Sequence, residues 1–247
     1  MIRHPKLSIK GKQMANPVAD LAPNQILYVN KVPISGWLTV KLRSGRKIHI
    51  MEYTKVKILE TKLGRTWFLL LDSGHSGASA SLSEANAKEY LGKKAPLQTG
   101  VNIMVQRQKI EEIRSITRRE VIIHETAILR VNALQMKITL NSVIKNPKKK
   151  QEKHTALPPG QYRVRLPDMP HDKELTVGYR LSEAPNLRND QVWFPIEYGD
   201  NSRYIHVGHL SHGCVTVMQL VQWNALYQAL IEHRMSGTDY VGQILIH

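Results

Sequence analysis

The stretch Tyr204–Val217, YIHVGHLSHGCVTV, gathers His206, His209, His212 and Cys214, the only cysteine of this 247-residue chain. Thiol and imidazole at close spacing are the materials of nucleophilic catalysis. The thiolate is the reactive form, and a base or cation must take up its proton. Gly213 permits a sharp turn and a close approach of backbone to a bound carbonyl, where N–H groups can stabilise an oxyanion. Cys214 also stands before a segment of helical period, whose free N–H groups and dipole favour an anion. His206 ends a strand-like run, and a reversal beyond it brings its imidazole back toward the thiol. Two other readings use the same residues. All four are zinc-ligand types, but H-x2-H-x2-H-x-C matches no standard zinc module, and neither a metal nor another cofactor is expected. A lone cysteine is also commonly a small buried apolar residue, although Gly, His and Ser flank this one.

The elements that must position this window read as mainly β. ILYVNKV, WLTVKLR, KIHIMEY and TWFLLLD are rich in β-branched and aromatic residues, with turns at RSGR (43–46) and KLGR (62–65), which predicts an antiparallel meander. DSGHSGASASLSEANAKEYLGKK reads as a Gly/Ser loop followed by a short helix, with Ser81 and Glu84 as its capping box and Gly92 at its end. Strands are expected again over 115–142, then at GQYRVRL, ELTVGYRL, VWFPIEY and SRYIHVG, with a solvated basic loop at 143–154. Leu220, Val221, Trp223, Leu226, Tyr227, Leu230 and Ile231 recur at steps near 3.6, so a long helix is predicted there, followed by a last strand at YVGQILIH. The resulting division is a loosely held tail over 1–22, a β-rich accessory module over 23–117 and a chemistry-bearing domain over 118–247.

Composition narrows the function classes. The 35 Lys and Arg against 20 Asp and Glu give a formal net charge of +15, a surface that attracts polyanions such as acidic wall polymers, anionic lipid or nucleic acid. Specific nucleic-acid binding is not expected, because the sequence has no standard module and only two Phe to serve as stacking platforms. One cysteine excludes an internal disulfide. No run approaches the ~20 apolar residues of a membrane span.

SHGCVTV resembles the Ser/Thr-His-Gly-Cys signature of the L,D-transpeptidase catalytic domain. ALPPGQYRV (156–164) is similar to the family's TPxGxY segment, WFPIEYGDNSRYIHVG (193–208) to the strand carrying its Ile-His motif, and GQILIH to its closing strand. The likeness runs over roughly residues 119–247. It implies an L,D-transpeptidase-like β-sandwich with one long helix, and acyl transfer through a thioester on peptidoglycan stem tetrapeptides, without a cofactor. It further implies Cys214 as nucleophile and His206 as base, oriented by a neighbouring backbone carbonyl. His212 would shape the site, Ser211 would fix the turn, and the amides of Gly213 and Cys214 would form the oxyanion hole. Ser211, Tyr204, His209 and Thr216 would contact substrate; Tyr204 and Trp193 could line a peptide groove, although aromatic residues on strands are more often core. The short stretch between His206 and His212 leaves His209 as a rival base and calls for a smaller cap, or one supplied from elsewhere. Thr216 stands where the family has Arg. His75, in DSGHSG, reads as a solvated loop histidine.

The acceptor is left open among water, a D-amino acid and a second stem peptide. The N-terminus has basic residues but no apolar h-region, so synthesis is expected to end in the cytoplasm. Wall chemistry then requires signal-independent export to the periplasm. Similar domains without signals occur among interbacterial effectors, which implies a secretion apparatus and an immunity protein as partners. The alternatives are an intracellular cysteine peptidase or acyltransferase, or a cationic binding module with a degenerate site.

Overall fold

The computed structural model describes residues 21–115, 120–146, 154–171, 173–235 and 237–247. The expected tail falls outside them except at residues 21 and 22, as does most of the expected basic loop. Among the described residues the chain is mainly β, and no helix is long and apolar enough to cross a membrane.

The first sheet contains β1 (Ile26–Val29), β2 (Trp37–Leu42), β3 (Lys47–Met51), β4 (Lys55–Lys62), β5 (Arg65–Leu70), β6 (Ser79–Ser83) and β7 (Leu91–Gly92), with α1 (Glu84–Tyr90) between the last two. Its order is β3-β2-β6-β5-β4-β1-β7. Strict alternation buries Leu38 and Val40, Ile48 and Ile50, and Thr66, Phe68 and Leu70 on one face, which packs with Leu27, Val29, Val56 and Ala87 into its own core. KLGR makes a tight hairpin: Leu63 and Gly64 both take the left-handed region, which matches the twist of the flanking strands.

The second sheet is built from β8 (Val101–Ser115), β9 (Glu120–Val131), β10 (Leu134–Lys145), β11 (Gly160–Arg165), β12 (Phe194–Ile196), β13 (Arg203–Val207), β14 (Val215–Val217) and β15 (Tyr240–Ile246). The strands close in the order β10-β14-β13-β12-β11-β15-β8-β9. The expected sandwich is therefore a single closed barrel. Helix α2 (Lys173–Ser182) lies between β11 and β12, and α3 (Trp223–Ile231) follows a 3-10 turn at Leu220–Gln222.

Four further expectations are corrected. ELTVGYRL is helical, as part of α2, despite its β-branched Thr176 and Val177 and its Gly178. The long helix is short: Val215–Val217 is taken up by β14, and only Trp223–Ile231 is α-helical, burying Trp223, Leu226, Tyr227, Leu230 and Ile231 at helical spacing. Ser79–Ser83 is a strand rather than a loop, and the α1 cap is Ser83, whose hydroxyl accepts from the Asn86 amide; Ser81 sits within the sheet. Finally, β8 pairs with β9 and β15, so the change of sheet falls between Gly92 and Val101 rather than near residue 118.

The two sheets share a seam. Trp37, Met51 and Tyr53 join the barrel core, and Lys94–Glu232 (2.7 Å) and Arg234–Asp72 (3.1 Å) bridge it. Glu52 lies there, where burial raises its carboxyl to about 7 against the opposing pull of the Tyr227 hydroxyl and Lys94. Because the folded pKa lies above the unfolded one, this group's stabilisation is full below about pH 4.5 and is lost as pH rises through about 7. Thermal unfolding should show Glu52→Gln gaining stability over wild type above pH 7, by at most about 3 kcal/mol. Equal pH dependence in the two proteins would refute this.

Candidate active site

Strands β13 and β14 run parallel, pairing Ile205 with Val215, His206 with Thr216 and Val207 with Val217. Ile205, Val207, Val215 and Val217 point into the barrel core. Their alternates, His206 and Thr216, therefore share the outer face, with Tyr204 and Cys214 one step along each strand. Parallel neighbours usually need a crossover of a dozen residues or more, yet here residues 208–214 suffice. The loop is tied down at Ser211, whose amide donates to Ser142 Oγ (2.9 Å) and whose carbonyl accepts from the Ser142 amide (2.7 Å). The Ser211 hydroxyl lies 3.1 Å from the Leu140 carbonyl and 2.7 Å from that of Cys214. His124 Nδ1 backs Ser142 Oγ at 3.0 Å. Ser211 thus ties this loop to β10 and to Cys214.

Gly213 closes the loop at φ +96°, a conformation open to glycine. An added Cβ would run into the Thr155 carbonyl oxygen and sit 2.9 Å from Arg203 Cζ.

Cys214 is free and only 9% exposed. Burial pushes its thiol above the ordinary value, while a hydrogen bond with the Tyr204 main chain and the Arg203 guanidinium pull the other way. The thiol precedes a strand, not a helix, so the expected dipole assistance is lacking. His206 is buried as well, and its pKa is lowered to about 4, chiefly by burial, with His171 and His212 adding to the effect and the Val207 carbonyl opposing it. At neutral pH the ring is uncharged. Its Nδ1 lies 3.0 Å from the Val207 carbonyl, which can only accept, so Nδ1 carries the proton and Nε2 the lone pair. That lone pair faces Thr216 Oγ1 at 3.0 Å. The Val207 carbonyl thereby fixes the tautomer and orientation of the ring. Thr216, implied to contact substrate, instead has its hydroxyl committed to His206.

Trp193 stacks on His206 with centroids 4.2 Å apart, His171 also stacks on Trp193 at 4.2 Å, and Tyr204 meets Trp193 and His171 edge-on. His212 stacks on His154 at 4.2 Å. Cys214, His206, His212, Trp193 and Gly208 line one cavity of about 290 Å³, together with Thr176 and Tyr179 of α2. His209 does not line it; its Nε2 pairs with Glu183 at 2.8 Å and its ring meets Tyr179 edge-on. His75 is half-buried rather than solvated and lines, with His49 and Asp168, a separate cavity of about 300 Å³ between the sheets.

Nothing in the residue pattern marked α2 as the cover of this cavity. Thr176 is 1% exposed and its hydroxyl has no hydrogen-bond partner among the described residues, so it offers a bond to a bound group. No cluster of three or more metal-ligand types that could hold an ion occurs among the described residues. Comparison of the chain with protein-family models, with curated proteins and with solved structures finds no match.

Proposed function

We propose that the chain is an L,D-transpeptidase-like, cysteine-dependent acyl transferase or carboxypeptidase acting on peptidoglycan stem tetrapeptides. One observation carries the reading: Cys214 and an uncharged His206 line the same small cavity on neighbouring parallel strands, behind a glycine turn. Cys214 Sγ attacks the carbonyl that precedes the terminal D-alanine, forming the C–S bond as the thiol proton passes to His206 Nε2. Collapse of the oxyanion, near the Gly213 and Cys214 amides, breaks the C–N bond, and the D-alanine amine leaves with that proton. Water, a D-amino acid or a second stem peptide then takes the acyl group and frees the thiol. Trp193 offers a flat surface to the peptide, with Tyr204 edge-on behind it rather than in the cavity lining, and the unpartnered Thr176 hydroxyl offers a polar anchor. Action in the wall after signal-independent export, against a neighbour that lacks an immunity protein, belongs to the same proposal.

Mass spectrometry of purified tetrapeptide muropeptides tests it. Loss or exchange of the terminal D-alanine, or dimers, is expected with wild type and with no Cys214→Ala protein. Unchanged muropeptides with folded wild type would overturn the reading. A second reading, a cationic binding module with a degenerate site, is favoured by the raised thiol and by the Thr216 hydroxyl on the base. It predicts that Cys214→Ala changes nothing.

A further inference from the structure

The outer face of the first sheet carries a basic surface that the thiol chemistry does not use. Strand register places Lys47 beside Lys41, Lys41 beside Ser81, Ser81 beside Trp67, and Trp67 beside Glu60 in one row across five strands. The next row joins Ser83, Arg65 and Lys62, while Lys57 and Lys55 stand on β4 opposite Leu69 and Leu71. All these side chains alternate with core residues, so they share the face turned away from the first sheet's core. Glu60 is the only carboxylate on this face of β1–β6 among the described residues, and it is engaged by Arg43 at 3.8 Å.

The centre of the face is organised rather than merely charged. Ser79, Ser81 and Ser83 of β6 form a low strip between the lysines of β2 and β3 and the larger side chains of β5. Arg65 lies across that strip, its Nε and Nη2 3.1 and 3.0 Å from Ser81 Oγ, with Nη2 also 3.1 Å from the Ser81 carbonyl. No carboxylate among the described residues forms an ion pair with Arg65. The guanidinium is thus held by neutral acceptors, keeps its full charge and presents its remaining N–H edge, which suits bidentate capture of a carboxylate. Half-buried Trp67 adjoins it with Arg43 stacked 5.1 Å above the ring.

We infer that this face docks a linear acidic polysaccharide. Its lysines and Arg65 neutralise successive carboxylates, while half-buried Trp67 and the partly exposed Ser79 and Ser83 meet the sugar rings; Ser81 is fully buried and serves to hold Arg65. The row of named residues crosses five strands, four spacings of about 4.8 Å or about 19 Å in all, room for several sugar units. A glycan fits better than single-stranded nucleic acid, whose binding grooves use successive aromatic platforms. Here one Trp stands among lysines, and Phe68 points into the core.

The test is titration of the full chain with polygalacturonate by calorimetry, beside its fully methyl-esterified, uncharged form and an oligo(dT) of equal charge. Binding to polygalacturonate is expected, weakening about tenfold as salt rises from about 50 to about 300 mM, with none to the ester. Arg65→Gln combined with Lys41→Gln should lower affinity about tenfold, and Trp67→Ala severalfold, with melting temperatures kept as the check on folding. Removing the same number of charges from the barrel, by Arg130→Gln with Lys137→Gln, should leave affinity unchanged. Equal losses from both double variants, or oligo(dT) binding as tight as polygalacturonate, would overturn the assignment, as would no binding at low salt.

Discussion

Substitution of His206 by Gln is expected to slow thioester formation about 10³-fold at neutral pH with the fold retained, since general-base participation contributes about 10²–10⁴-fold. The size follows from the resting state of the pair. Burial keeps the imidazole uncharged, at about 4, and pushes the thiol up, so a preformed thiolate–imidazolium pair is disfavoured in the free protein. The proton therefore moves only as sulfur attacks, and Nε2 is the acceptor whose loss the substitution reports. Alkylation of Cys214 by iodoacetamide should accordingly rise only above the pH range of an ordinary thiol, with no shoulder in the neutral range; a plateau there would reveal a preformed ion pair. Thr216 acts through His206: its hydroxyl donates to the Nε2 lone pair and favours the neutral ring. Thr216→Val should raise the His206 pKa seen by NMR titration and shift the pH profile of thioester formation upward, whereas Thr216→Ser should preserve both. An unchanged His206 pKa in the Val variant would show that the hydroxyl does not hold the ring.

How much of this was legible in the sequence divides along a physical line. Local alternation was readable: Ile205, Val207, Val215 and Val217 are the apolar half of two strands, and His206 and Thr216 the polar half. What sets them against each other, the parallel register of β13 and β14, is a tertiary fact with no local signal, and a connection as short as residues 208–214 argued against it. The helix α2 was hidden for a different reason. Thr176, Val177 and Gly178 are poor helix formers, and the segment is held by tertiary contacts, the Arg180–Asp190 ion pair (3.0 Å) and Tyr179 packed on the barrel core, rather than by propensity. The apolar spacing was true for Trp223–Ile231, but Leu220–Gln222 forms a 3-10 turn before it and the α-helix stops at Ile231, so period alone overstated its length. Likewise β6 alternates as a strand should, yet its Ser and Ala have little strand preference, and its partners β2 and β5 decide the matter.

Gly213→Ala should be the most damaging single methyl that can be added near the site. Two costs coincide there and can be separated. The backbone lies at φ +96°, where a side chain costs about 1–3 kcal/mol, and the new Cβ meets the Thr155 carbonyl, a main-chain atom that cannot rotate away. Gly64 provides the comparison, since it lies at φ +70° with open space around its Cβ position. Gly64→Ala therefore reports the conformational cost alone, about 1–2 kcal/mol, and Gly213→Ala should exceed it, at about 2–4 kcal/mol in all. In a chain of this size each kcal/mol lowers the melting temperature by about 2–4 °C, so calorimetry resolves the difference. The functional loss should be larger than the loss of stability. The loop can accept the methyl only by lifting off Thr155 and Arg203, which moves the Cys214 amide and sulfur away from His206, so thioester formation should fall even at temperatures where the variant is folded. If Gly213→Ala matched Gly64→Ala in melting temperature and kept full reactivity at Cys214, the close approach of this loop to Thr155 would have no part in building the site.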